Sequence, residues 1–385
     1  MATRADLIVV GAGLAGAAAA YSASARGAGV VVLEQFGPGH RNGSSHGSAR
    51  IFRRAYPDPL YVRLTGQAGE LWRSLEADAS QRLLTVTGGV DFGAARDPEG
   101  LYALLTGCGV PAELLPAEEA ARRWPQFDFT GTGPVMFHQD AGVLDPDTAV
   151  AAMLRLAAAR SADVRFETTV TRLEPGGDGA LVHTGDESFT APVAVVAAGA
   201  WIAPLLTGLI DLPPLSVTQQ QVFHLAPVKP AAADRQAPAQ PWPVFIVQDG
   251  TDNCYGLPGG RDGGVPGAIK IGEHSPGTVT TAAGRDFLVD PASRDRVTGF
   301  ARRRVPGLDP AHLVNEVTCL YTWTGNEDFI LDRQGPFVVA SPCSGHGAKF
   351  APLLGEIIAD LAAGKPSSDP RFTLAAHAIP PAGSG

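Results

Sequence analysis

Cysteine is scarce and unpatterned in this chain. Cys108, Cys254, Cys319 and Cys343 are spread over 385 residues, without the paired spacing of a zinc site or the density of a disulfide framework. No metal is expected, and a reducing, cytoplasmic setting suits such thiols. Long apolar runs are missing too. The most apolar later stretch, Ala191 to Leu206, is broken by Pro192, Gly199 and Pro204, whereas a membrane span needs about 20 uninterrupted apolar residues. A buried strand and turn is expected there, and no membrane association. The N-terminus enters an apolar strand pattern almost at once, with no basic n-region or small-residue cleavage site, so no signal peptide is expected. Positive charge is in deficit, at a formal net −9, which argues against nucleic acid and anionic membranes as partners. A small anionic substrate stays possible, because local cations can outweigh the overall balance. Lysine is scarce and no internal repeat is visible. The remainder is ordinary, 45% apolar and 18% charged, with length for two or three domains and a sizeable core.

The most informative stretch opens the chain. Leu7-Ile8-Val9-Val10 reads as a buried strand, Gly11-x-Gly13-x-x-Gly16 as a tight turn opening a helix over Ala17 to Ala25, and Val30 to Leu33 as the next strand, ending in Glu34. Each glycine has a physical task in a dinucleotide fingerprint. Gly11 permits the turn, Gly13 lets the backbone approach a pyrophosphate, and Gly16 lets helix and strand pack closely. The helix N-terminus faces the phosphates. Glu34 is placed to accept hydrogen bonds from a ribose, which argues against a 2′-phosphate. FAD and NAD both satisfy this pattern.

Further along, residues 36–50 are loop by composition, with His40, His46 and several cations beside the fingerprint. Leu60 to Leu75 has helical spacing. Short β-like runs at Leu84–Val86, Gly89–Phe92 and Val135–Phe137 alternate with a helix over Pro116–Arg123, which suggests a second, inserted domain. Asp147–Ala159 reads as an amphipathic helix capped by Asp147. Val164–Leu173 and Ala180–His183 read as strands, and Val193–Trp201 as another parallel strand of the cofactor sheet running into a turn at Gly199. Ser216–Leu225 and Pro243–Val247 resume β patterning around a Pro/Ala-rich loop, 226–243. In Ala268–His274, alternation puts Lys270, Gly272 and His274 on one face and Ile269 and Ile271 on the other. Lys270 and His274 then face either a ligand or solvent. Pro291–Arg304 reads as a basic helix without an assigned role. Phe337–Ser341, the turn Ser344-Gly345-His346-Gly347-Ala348-Lys349 and a helix over Phe350–Leu361 repeat the strand, glycine turn and helix arrangement. By itself this is either an anion site or a plain connection.

In order along the chain, these pieces resemble the monomeric sarcosine oxidase / N-methyl-tryptophan oxidase family of flavoproteins, within the D-amino acid oxidase superfamily. The matching motifs are the Gly11/Gly13/Gly16 fingerprint, Asn42 to Tyr56, Lys270-Ile271-Gly272-Glu273-His274, Cys319-Leu320-Tyr321-Thr322 with Glu327 to Asp332, and Ser344 to Phe350. The resemblance implies FAD rather than NAD. It implies an α/β fold: a Rossmann-like FAD-binding domain (1–83, 145–215 and 316–385) and an α+β substrate domain on a mixed or antiparallel sheet (84–144 and 216–315). It implies FAD held covalently by a thioether from Cys319, and further cofactor contacts from Ser45, His46, Arg50, Ile51, Val170, Gly199, Trp201, Gly345, Gly347 and Lys349. Arg53 and Lys349 match the cations that hold the substrate carboxylate, with Tyr255, Tyr321 and Gly345 lining the cavity. Lys270 matches the lysine that promotes oxygen reduction, and Arg50, His46 and His274 match other polar residues around the reacting centre.

The implied reaction is oxidation of a secondary (N-methyl) or cyclic amino acid by a monomer. The substrate binds with neutral nitrogen, hydride passes from the carbon next to nitrogen to flavin N5, the imine is hydrolysed, and O₂ becomes H₂O₂. Several positions depart from the family. The glycine-rich segment between Tyr255 and Lys270 is long, Ser45 stands where a histidine is frequent, Ala348 stands where phenylalanine is usual, and Pro342-Cys343 precede the last turn. These changes point to a substrate larger than sarcosine, as in a tailoring oxidase of secondary metabolism. A non-catalytic FAD-binding protein is the alternative from another class.

Overall fold

The computed structural model describes residues 2–228, 241–275 and 277–378. Most of the Pro/Ala-rich loop expected at 226–243 lies outside these residues. Four strands whose side chains are buried on both faces, Leu7–Val10, Val30–Leu33, Val193–Val196 and Phe337–Ser341, form the middle of a six-stranded sheet. The order is Asp163–Arg165, Val30–Leu33, Leu7–Val10, Val193–Val196, Phe337–Ser341, Ile330–Gln334, and only the last pairing is antiparallel. Continuous apolar runs are what parallel strands covered on both sides require. Helices Leu14–Ala25, Pro146–Ala159 and Ala351–Ala362 pack together against one face. The other face packs against a four-stranded sheet that includes Gly179–His183 and Ser188–Ala191.

A larger mixed sheet forms the second layer. Its core is the antiparallel set Ser216–Pro227, Ile269–Glu273, Asp252–Pro258 and Val244–Asp249, with the long strand Leu308–Trp323 paired to Ser216–Pro227. Val244–Asp249 then runs parallel to Gly89–Phe92, which continues to Val135–His138. Ile269 and Ile271 point into the apolar core beneath, with Phe223, Phe245 and Phe300, so Lys270 and His274 are turned to the opposite face. The α/β class with a Rossmann-like layer and a mixed second sheet is therefore observed.

Local expectations need correction in four places. The helix after the fingerprint begins at Leu14, not Ala17. The cap of Pro146–Ala159 is Asp145, whose carboxylate accepts from Thr148 N, while Asp147 accepts from Gly47 N at 2.9 Å. Residues 164–173 are not one strand. Asp163–Arg165 joins the parallel sheet, the chain reverses at Glu167 with φ +54°, and Arg172–Gly176 belongs to the four-stranded sheet. Helix Pro98–Gly107 and strand Glu113–Leu115 were not anticipated.

Candidate active site

A cavity of about 1240 Å³ runs from the Gly11–Ala15 turn to Arg53, Lys349 and, on the second sheet, Lys270. Single-ligand pockets are commonly about 300–1,000 Å³, so this one has room for a dinucleotide and a substrate together. At one end, Gly11 has φ +97° and a Cβ there would meet Ala197 O at 2.6 Å. A Cβ on Gly16 would strike Gly11 O. Gly16 does not line the cavity; its task is the close packing of turn and helix. Ser45 Oγ accepts from Leu14 N at 3.0 Å and ties the 43–50 loop over the helix start. Glu34, 5% exposed, accepts from Ala12 N at 2.7 Å and Phe36 N at 3.0 Å, which fixes its carboxylate at the cavity wall.

Every other residue expected to hold the cofactor lines this same cavity: Gly11, Gly13, Glu34, Ser45, His46, Arg50, Ile51, Val170, Gly199, Trp201, Cys319, Gly345, Gly347 and Lys349. They come from seven separate stretches of chain. Cys319 Sγ lies 3.8 Å from Arg50 Nη2 and 3.7 Å from Ser44 O. Arg50 also donates to the carbonyls of Ser44, His46 and Ala49, which pins its guanidinium beside the sulfur. His46 is buried and its Nε2 has no hydrogen-bond partner among the described residues. Burial, then Arg50 and Lys270, push this imidazole down to about 2, so it is neutral. A glycine cradle at a helix N-terminus, room beyond it, and an orphaned polar nitrogen in the wall together fit FAD.

At the far end sit the cations. Lys349, 5% exposed, donates to Tyr56 Oη at 2.9 Å and His346 O at 2.7 Å. Its ammonium is pushed well below the usual lysine range by burial and then by Arg53. Arg53 donates to Ala55 O and lies 4.5 Å over the Tyr56 ring; enclosure and then Arg96 lower its pKa. Neither cation forms an ion pair with a carboxylate among the described residues. Tyr255 and Tyr321 both line this space, and burial raises both phenols. Gly345 (φ +74°) lets the turn come against Tyr321, since a Cβ would meet that ring at 2.6 Å. His274 faces the same space and is lowered to about 4 by burial and the nearby Arg53 and Lys349. Lys270 donates to Ala49 O at 3.1 Å, and burial followed by Arg50 lowers it to about 7.

The sequence reading missed several lining residues. Tyr56 and His346 hydrogen-bond around Lys349 at 3.1 Å. Arg96, salt-bridged to Asp91 at 2.6 Å, donates to the same Ala55 carbonyl as Arg53. Asp262 reaches Ser48 from the glycine-rich segment. Tyr56 had a signal, three residues past Arg53 in a matched motif. Arg96 and Asp262 had none, because the contacts that bring them to the site, Ala55 O and Ser48, are far away in sequence.

A dinucleotide cradle on a parallel sheet, opening into a cationic chamber under a second sheet, is the arrangement of a cofactor-dependent oxidoreductase. The chain belongs to the FAD dependent oxidoreductase family, which it matches over residues 6–361. Monomeric sarcosine oxidase of Streptomyces avermitilis is 36% identical over 93% of each chain. N-methyl-L-tryptophan oxidase of Yersinia pestis is 31% identical over 94% of this chain and 96% of its own. Among solved structures, NikD, titled an unusual amino acid oxidase essential for nikkomycin biosynthesis, superposes with a TM-score of 0.83 at 27% identity over 96% of this chain and 97% of its own. The resemblance drawn from the motifs is borne out across the chain. The protein is an enzyme, an FAD-dependent oxidoreductase in the company of amine oxidases.

Proposed function

We propose that the protein oxidises a secondary amino acid, N-methylated or cyclic, at the carbon next to nitrogen, releasing an imine that water hydrolyses and reducing O₂ to H₂O₂. The observation that carries this reading is the pair Arg53 and Lys349, two enclosed cations at the end of the cavity without a carboxylate partner among the described residues. Uncompensated enclosed cations are costly, and a substrate carboxylate would relieve that cost by pairing with both. FAD, when bound, supplies the two-electron redox chemistry, and Cys319 would hold it through a thioether. Arg53 and Lys349 fix the acid group, and Tyr255, Tyr321 and Gly345 shape the space around it; orientation of this kind carries much of the rate. Arg50, His46 and His274 set the polarity around the reacting centre. Lys270 presents an ammonium on the second-sheet side, where it stabilises charge developing on oxygen. Residues 1–83, 145–215 and 316–385 are assigned to the cofactor, and 84–144 and 216–315 to the substrate. We assign the enzyme to the cytoplasm as a monomer; among the described residues no helix is long and apolar enough to cross a membrane.

The small Ala348 in the lining and the likeness to NikD favour a second reading, a tailoring oxidase of a cyclic amino or imino acid. A panel of N-methyl and cyclic amino acids with peroxide detection separates the two by which group supports turnover. Peroxide formation with neither would refute both. In the same assay Arg53→Ala is expected to raise KM by about 10- to 100-fold, the scale of a charge-assisted hydrogen bond of about 1.5–3 kcal/mol, with little change in the flavin spectrum. An unchanged KM removes Arg53 from the carboxylate clamp.

A further inference from the structure

The long glycine-rich segment between Tyr255 and Lys270 ends in an arrangement that the proposed function does not use. Asp262 accepts from Ser48 N at 3.0 Å and from Ser48 Oγ, and its own N–H donates back to Ser48 Oγ at 3.0 Å. Asn315 Nδ2 holds the Asp262 carbonyl at 2.8 Å. Arg261, next door, pairs with Asp145 at the start of helix Pro146–Ala159. Gly260 makes this approach possible: it has φ +71°, and a side chain there would strike Ser48. On the other side Asp147 holds Gly47 N. Two carboxylates therefore grip successive residues of the chain that leads to Ala49, and Ala49 O is the hydrogen-bond acceptor of Lys270.

We propose that Asp262 is a positioning residue for Lys270: it fixes the Ser48–Ala49 backbone to which the lysine donates. This rests on the reading of Lys270 as the ammonium that meets oxygen. The charged and titratable groups that influence Lys270 come from every side: Arg50 lowers it, Asp262 and Asp147 raise it, Cys319 raises it only as a free thiolate and not as a thioether, and His46 and His224 are the neutral imidazoles it faces. Arg50 and burial both favour the neutral amine. The Asp262 carboxyl stays on the ionised side, because the Ser48 hydrogen bonds and Lys270 outweigh the effect of its own burial. Lys270 is lowered to about 7, where a small change in surroundings moves its charge, so losing the Asp262 carboxylate and the backbone it holds is expected to show in the lysine's titration.

The chain has four lysines, Lys229, Lys270, Lys349 and Lys365, so their side-chain NMR signals can be followed individually in the holoenzyme labelled at lysine, with Lys270→Arg giving the assignment. In Asp262→Asn the Lys270 titration midpoint is expected to fall by about one pH unit, and in Asp262→Glu to return towards the native value. Ser48→Ala, which removes hydrogen bonds but keeps the carboxylate, is expected to move it less than Asp262→Asn. Reoxidation of reduced enzyme by O₂ near pH 7 should slow about fivefold in Asp262→Asn, the loss expected when a group with a midpoint near 7 drops by about one unit. An unmoved Lys270 midpoint in Asp262→Asn overturns the proposal. Undiminished reoxidation in Lys270→Met overturns instead the reading of Lys270 itself, so the two failures are told apart.

Discussion

Cys319 carries the sharpest residue-scale test. Three thiols line the cavity, Cys254, Cys319 and Cys343, and burial raises that of Cys254. Cys319 has the Arg50 guanidinium beside it, whereas Cys343 accepts from Thr322 N and burial raises its thiol. Acid precipitation of the native protein should leave the yellow colour in the pellet, Cys319→Ala should release it, and Cys343→Ala should not. Colour freed from the native pellet would rule out the thioether. The ring nitrogens allow a second test. His46, His346 and His274 are lowered chiefly by burial to about 2, 3 and 4, so none changes charge between pH 6 and 9. Flavin reduction by the amine, followed anaerobically, is expected to rise with pH over that range with a midpoint that tracks the substrate amine. Two substrates with different amine pKa values but one common midpoint would assign the titration to the protein instead. Of the residues that line the cavity, the opening glycines and Glu34 were legible from spacing alone, while Cys319, Val170, Trp201 and the cations were legible only through the resemblance to a known family. Asp262 was not, since its partner Ser48 lies 214 positions away and only tertiary packing joins them.

At the scale of elements, the strands of the parallel sheet were readable because Leu7–Val10, Val30–Leu33 and Val193–Val196 are unbroken apolar runs bounded by glycine or acid. Expectation failed where topology, not pattern, decided. Residues 164–173 keep a β-like composition, yet Thr168 N bonds to Glu34 O and Glu167 N to Phe36 O, so that stretch wraps the sheet edge and its two strands join different sheets. The unread helix Pro98–Gly107 did carry a signal, Asp97 accepting from Gly100 N with proline at the first helical position. The glycine turn gives an element-scale test. In Gly16→Ala the new methyl has only the Gly11 carbonyl to displace, and backbone cannot step aside as a flexible side chain can. A loss of about 2 kcal/mol or more is expected, seen as a drop in melting temperature and in the fraction of protein loaded with FAD. Gly107→Ala, where nothing lies within 4 Å and which is outside the cavity lining, should leave both unchanged. Equal behaviour of the two variants would remove the packing role of Gly16.

Over the whole molecule, the burial of basic groups in neutral form sets how stability responds to pH. His46, His138 and His224 are buried, and burial lowers them to about 2, 4 and 4. Neither ring nitrogen of His138 or His224 finds a hydrogen-bond partner among the described residues. An unfolded histidine takes up its proton near pH 6.5. Each folded value is lower, so below about 6.5 the unfolded chain binds more protons and stability falls, levelling only near pH 4 for His138 and His224. Lys270, lowered to about 7 from the ordinary lysine value, acts with the same sign in a higher window: its contribution is lost as pH falls from about 10 towards 7. The melting temperature is therefore expected to climb from pH 5 to pH 9. One pKa unit corresponds to about 1.4 kcal/mol, so each of these histidines alone can cost on the order of a few kcal/mol at low pH. Neither His138 nor His224 lines the cavity, so His138→Gln isolates the charging step without touching the site. Whatever that variant costs in packing is the same at pH 8 and pH 5, but only the native protein has an imidazole to protonate. The gap in melting temperature between the two proteins should narrow or reverse at pH 5, and an equal gap at both pH values would mean that His138 is not held neutral by its burial.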